Sequence, residues 1–167
     1  LWLWLLLRLW GMVSLTQRDG VHHTRRAAVL KRQVFKKGLR YGAVGVCLGE
    51  ILVKKDAQKT DVYQISQSLL LDGDSQFLAK PELEIYADDV VCSHGSTSGA
   101  IDEDALFYLR ARGIPVDVAT DLLTLAFLAE ALHEIESDSL SRAVGAGLEV
   151  WVALGGRKWE WFVCFVS

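Results

Sequence analysis

The sequence predicts a mainly β chain that ends in a small helical bundle. Residues 43 to 99 carry short alternating or β-branched runs separated by turn residues, and no window of 11 to 18 residues there has a helical period. From Asp102 onward the apolar spacing becomes that of amphipathic helices. Gly113 and Pro115 then divide the first helix from the second.

Val44, Val46 and Leu48 alternate, as do Ile51 and Val53. Val62 to Leu71 mixes β-branched, aromatic, Gln and Ser residues, and Leu83 and Ile85 face away from Glu82, Glu84 and Tyr86. Breaks fall at Lys54-Lys55-Asp56, Asp72-Gly73-Asp74 and Asp88-Asp89. Such strands fit a sandwich, a barrel or a β-solenoid, and do not choose among them. Gln58, Gln64 and Gln67 are expected to form stacked amide ladders. Asp102 is the expected N-cap of a helix running to Arg112, with Glu103 and Asp104 at its positive end. Gly113 suits the left-handed position after it, and Pro115 forbids continuation. A second helix is expected over Val116 to Ile135, burying Val118, Leu122, Leu125, Ala129 and Leu132, widened by Leu123, Ala126 and Phe127. A third, Ser139 to Ala153, presents Leu140, Val144, Leu148, Trp151 and Val152, weakened by Gly145 and Gly147.

The chain has 167 residues, of which 51% are hydrophobic, so a packed core is expected. The formal net charge is −3 and the pI about 5.8. Only Arg25 to Arg40 is basic; it is short and without an interleaved aromatic platform, so it reads as a solvated face, and no nucleic-acid partner is expected. Cys47, Cys92 and Cys164 are widely spaced, with no Cys-x-x-Cys, which excludes a zinc ribbon or a ferredoxin ligand run. Such sparse thiols suit a reducing, cytoplasmic setting. The apolar start, Leu1 to about Leu15 with Arg8 inside it, falls short of the roughly 20 residues that span a bilayer. No membrane association is expected, and the opening residues read as an artificial or misread beginning. There is no phosphate-binding Gly-x-x-x-x-Gly-Lys-Ser/Thr loop and no Gly-x-Ser-x-Gly elbow.

The chemistry concentrates in Lys80 through Gly95, where Cys92 and His94 sit two residues apart. Thiolate and imidazole bind transition metals and iron–sulfur units. Residues two apart in an extended chain share a face, so the pair reaches one site, but two ligands do not fill a coordination sphere. The plainer readings are a small buried hydrophobe for Cys92 and a turn histidine for His94, with Gly95 free to take a positive φ. Glu130-x-x-His133 has the spacing of half a di-iron motif, yet only one copy occurs. Glu130, His133, Glu134 and Glu136 are read as a solvated helix face. The adjacent His22 and His23 diverge in any regular structure and are discounted. An alternative is a Cys/His hydrolase or transferase with Cys92 as nucleophile and His94 as base.

Residues from about Glu50 to Glu136 resemble the C-terminal part of the SufB/SufD family, the scaffold subunits of the SUF iron–sulfur cluster assembly machinery. The resemblance rests on Lys55-Asp56-Ala57-Gln58-Lys59-Thr60-Asp61, on Lys80 through Gly95, on Ser96-Thr97-Ser98-Gly99 and on Asp102 through Gly113. Gly95 after His94 fits the SufD branch; the SufB branch has no glycine there. The resemblance implies a right-handed parallel β-helix (solenoid) core over residues 38–100, followed by a small C-terminal helical bundle over 101–154 that docks the SufC ATPase. Residues 1–37 match poorly and are expected to be artificial or irregular. Residues 155–167, with Trp159, Trp161, Phe162 and Phe165, look like an atypical tail. The implied function is a non-enzymatic scaffold. Cys92 and His94 would ligate a transient iron–sulfur cluster shared with a SufB-like subunit, none being held stably by this chain alone. Phe107, Tyr108 and Arg110 would anchor the SufC-like ATPase. A further alternative is a non-functional fragment, since a solenoid cut across its coils exposes unpaired strand edges.

Overall fold

The computed structural model describes residues 14–22, 30–135, 137–153 and 162–166. Six strands come first: β1 (Ser14–His22), β2 (Leu30–Leu39), β3 (Val44–Val53), β4 (Asp61–Leu70), β5 (Gln76–Ile85) and β6 (Val91–Ala100). Helices α1 (Glu103–Ala111), α2 (Val116–Ala129) and α3 (Asp138–Ala153) follow, with a 3-10 turn over Glu130–Glu134 after α2. Strand β7 (Phe162–Val166) completes the described elements. The opening run Leu1 to Trp10, His23, Trp159 and Trp161 lie outside the described residues.

Successive strands enter alternate sheets. One sheet has the order β1-β3-β5, the other β6-β4-β2-β7. The ladders among β1 to β6 are parallel, and each residue's partner lies 30 to 32 positions further on: Ser14 opposite Val44, Leu30 opposite Asp61, Val44 opposite Gln76, Asp61 opposite Val91. β7 runs antiparallel to β2. The expected mixture of β and α structure is present, but the right-handed β-helix is not what the structure shows. Here two separate three-strand parallel ladders are formed, β7 runs against one of them, and helices cover that sheet's outer face. The observed sheets also run across residue 37, where the sequence suggested a boundary, since β2 covers Leu30–Leu39.

Each sheet contributes to a different core. Between the sheets, Ile51, Val53, Ala57, Val62 and Ala87 pack with Leu83, Val90 and Cys92. Outside the second sheet, Val34 meets Leu128, Ala131, Val144 and Leu148, with Ile65, Leu125, Phe127 and Leu132 at the margin. β2 is therefore buried on both faces, which overturns the solvated reading of its basic stretch. Lys36 and Lys37 are only 4% and 1% exposed. Lys36 pairs with Glu130 and lies 4.4 Å from the Phe127 ring centroid; Lys37 lies 5.0 Å from that of Phe77. Their apolar stems fill the core while the charged ends find a carboxylate or an aromatic face. Arg40 similarly reaches Asp121 of α2 at 3.3 Å.

The first helix forms as its caps dictate. Asp102 accepts from the amides of Asp104 (2.9 Å) and Ala105 (3.2 Å), and Gly113 takes φ 85. The second departs from expectation. It ends at Ala129, and it buries Ala119, Thr124 and Leu128 rather than the Val118–Leu122 side. Val118, Leu122 and Ala126 are exposed, because only one face of α2 meets the sheet and α3.

The turns between strands stack in pairs. Asp72 accepts from the amides of Tyr41, Gly42 (3.4 Å), Asp74 (3.2 Å) and Ser75 (2.8 Å), joining the β2–β3 and β4–β5 turns. Tyr41 and Gly42 adopt φ 66 and 70 in this turn. At the other end the Gln58 side chain accepts from the Asp89 amide at 2.9 Å, and the Lys59 amide donates to the Asp89 carbonyl. Partial burial pushes the Asp72 carboxyl up, but hydrogen bonds from Ser75 and from the Tyr41 and Gly42 amides outweigh it and hold the group below its ordinary 3.8. A folded pKa below the unfolded one stabilises above the unfolded value and is lost as pH falls through the folded value. Asp72→Asn is therefore expected to lower stability at neutral pH, with the difference from the parent protein shrinking below about pH 4. Urea unfolding at a series of pH values checks this, and a pH-independent difference contradicts it.

Candidate functional site

Cys92 and His94 lie inside β6. Gly95 is likewise a strand residue, and it is absent from the positive-φ glycines among the described residues, Gly42 and Gly113. The turn-histidine reading therefore fails. β6 forms one edge of its sheet, with β4 as its only neighbour among the described strands. In the parallel register Cys92 stands opposite Val62, and His94 opposite Gln64. Val62 and Gln64 are both buried on the inner face. Strand alternation thus directs Cys92 and His94 to that same face. Cys92 is half-buried against the inter-sheet core. His94 is exposed, since among the described strands none follows β6 in the sheet.

Burial pushes the Cys92 thiol above its ordinary value, the nearby Asp61 carboxylate adds to this, and a backbone hydrogen bond at Val62 opposes it. In the isolated chain the group is therefore a thiol at neutral pH rather than a thiolate. No hydrogen bond joins it to the His94 ring among the described residues. Nucleophilic catalysis needs an activated thiolate and a positioned base, and this arrangement supplies neither. Among the described residues no group of three or more His, Cys, Asp or Glu side chains forms a metal cluster. Glu130 is engaged by Lys36, and the exposed His133 adds no second helix of ligands.

The amide ladder differs from expectation. Gln64 Nε2 donates to Gln33 Oε1 at 2.9 Å, both side chains being buried. Gln67, three residues on, falls on the opposite face, and Gln58 serves the turn. Gln33 was missed because it sits in the basic stretch read as solvent-facing. Its only sequence signal was the 31-residue step to Gln64, which places the two in register.

On the helical side, Phe107 is 72% and Tyr108 55% exposed, and Arg110 is exposed beside them. Arg112 stacks over the Tyr108 ring at 3.7 Å from its centroid. Val116, Val118 and Leu122 of α2 are exposed large apolar residues as well. Among the described residues no helix is long and apolar enough to cross a membrane.

Comparison with known proteins gives a consistent match. Residues 18–127 match the family model described as the SufBD core domain of SUF-system FeS cluster assembly. The chain is 40% identical over 126 residues to the iron–sulfur cluster assembly protein SufD of Escherichia coli, covering 75% of this chain and 30% of that protein. It is 42% identical over 98 residues to an iron–sulfur cluster assembly SufBD family protein of Synechocystis, 59% of this chain and 22% of that one. A SufBD family protein of Mycobacterium leprae is 31% identical over 146 residues, 78% of this chain and 37% of its own length. The chain thus spans well under half the length of these relatives.

The raised Cys92 pKa predicts slow alkylation. Iodoacetamide should modify Cys92 more slowly in the folded chain than in urea at the same pH, the gap narrowing as pH rises toward the folded pKa. Peptide mass spectrometry resolves it from the other two cysteines. A native rate at neutral pH equal to or above the unfolded one contradicts the burial argument.

Proposed function

The chain belongs to the SufB/SufD family of SUF-system iron–sulfur cluster assembly proteins and is SufD-like, and we propose that it serves there as a scaffold subunit rather than an enzyme. The observation that carries this reading is the placement of a thiol and an imidazole on one face of an edge strand. These donor types suit iron and iron–sulfur cargo. Two donors leave coordination incomplete, and the open edge of β6 is where another chain can bring the rest. A SufB-like subunit is the proposed source. The cluster is cargo, assembled jointly and passed on, with none held stably by this chain alone. Cys92 must lose its proton to ligate, so an approaching metal ion supplies the positive charge that its buried position beside Asp61 lacks.

The helical region, residues 101–154, is the proposed docking element for a SufC-like ATPase. Phe107, Tyr108 and Arg110 are of the residue types that dominate interface energies, and they are exposed in a group. Nucleic acid and membrane have no part in this reading, and its setting is the cytoplasm. The hydrolase or transferase alternative loses ground to the protonated Cys92.

The test is complementation in cells that depend on this protein for iron–sulfur enzymes. Cys92→Ser and His94→Ala are each expected to lower the activity of those enzymes at unchanged protein level. Normal maturation with both positions replaced would sink the site assignment, and no maturation by the parent chain would favour the non-functional-fragment reading. In the same cells Phe107→Ala with Tyr108→Ala should weaken capture of the ATPase by roughly tenfold. Undiminished capture would remove the docking assignment.

A further inference from the structure

We infer that Gln64 is a positioning residue for His94, supplying the acceptor that orients its imidazole. This rests on the reading of His94 as a metal ligand. A histidine that ligates through one ring nitrogen keeps a proton on the other, and that N–H nearly always goes to an acceptor that fixes tautomer and ring direction. Among the register partners, the side chain directly behind His94 is Gln64, one strand spacing away at about 4.8 Å. Its amide is already committed on one side. β2 and β6 flank β4 on opposite sides, and Gln64 Nε2 donates toward β2, to Gln33 Oε1 at 2.9 Å. With the amide nitrogen committed to Gln33, its oxygen remains the acceptor that Gln64 can offer to a neighbour.

The opposite sheet holds it there. A Cβ added at Gly49 of β3 would lie 2.5 Å from Gln64 Oε1 and 2.8 Å from Nε2, so a side chain there would push this amide aside. Gln64 is thus seated by Gln33 along the sheet and against Gly49 across it, while His94 is exposed. A buried, hydrogen-bonded acceptor behind an exposed ligand is the arrangement that selects one ring orientation without itself touching the metal.

Cobalt(II) titration of the chain in complex with a SufB-like subunit, which supplies the remaining donors, tests this, read by the thiolate-to-cobalt and ligand-field absorption bands. The Gln33→Met/Gln64→Met double variant removes both buried amides together, so neither is left orphaned and the fold is kept; circular dichroism and urea midpoints check this. Its affinity for cobalt should fall by about 10- to 100-fold, with an altered ligand-field band. Gln64→Glu retains an acceptor oxygen and should bind far better than the double variant. His94→Ala is the reference for loss of the ligand itself. If His94→Ala loses affinity while the folded double variant titrates like the parent, the inference is overturned and the ligand reading stands. If His94→Ala itself binds like the parent, the ligand reading falls and the inference falls with it.

Discussion

The parallel register between alternate strands is the constraint from which the rest of the molecule follows. A step of 30 to 32 residues brings Gln33, Gln64 and His94 into one row, and Val62 and Cys92 into the neighbouring one. Side chains in such a row share a face, so the chemistry at the edge is a continuation of the packing inside. The row changes character along its length. Gln33 and Gln64 are buried and joined by a hydrogen bond, whereas His94, at the last strand, meets solvent. A one-residue slip would turn Cys92 and His94 to the outer face. The turn contacts of Asp72 and of Gln58 with Asp89 tie successive turns together at both ends of the strands and oppose such a slip.

The same register explains the electrostatics. Cys92 completes an apolar cluster between the sheets, which withdraws its thiol from water, and the strand pairing sets Val91 beside Asp61. Both effects favour the protonated form. A donor held in this state is quiet until a cation arrives, which suits a scaffold better than a nucleophile. On the far side of the sheet, Lys36 and Arg40 are drawn to Glu130 and Asp121, so charge pairing adds to the apolar seam in fastening the helices to β2.

Much of this was legible in the residues themselves. Turn clusters at Lys54-Lys55-Asp56, Asp72-Gly73-Asp74 and Asp88-Asp89 fall between strands, and the Asp102 and Gly113 caps bound α1. Local chemistry decides such features, so a sequence reports them directly. What depends on neighbours in space was not legible. Lys36 and Lys37 look like surface residues until β2 is covered on both faces. Val118 and Leu122 look like core until α2 is seen to bury the face carrying Ala119, Thr124 and Leu128. The pairing of Gln64 with Gln33, rather than with Gln58 or Gln67, depends on strand register, which the residues near Gln64 do not reveal. The Cys92–His94 spacing was visible, but its position on an edge strand was not.

The central claim is that β6 is an open edge carrying half of a site that a sister subunit completes. Hydrogen–deuterium exchange of the isolated chain, and of the chain with a SufB-like subunit, tests it most directly. Alternate amides of β6 that point away from β4 should exchange freely in the isolated chain while those of β4 are protected, and they should become protected when the subunit is added. Full protection of every β6 amide in the isolated chain, or exchange there that the added subunit leaves unchanged, would contradict the account.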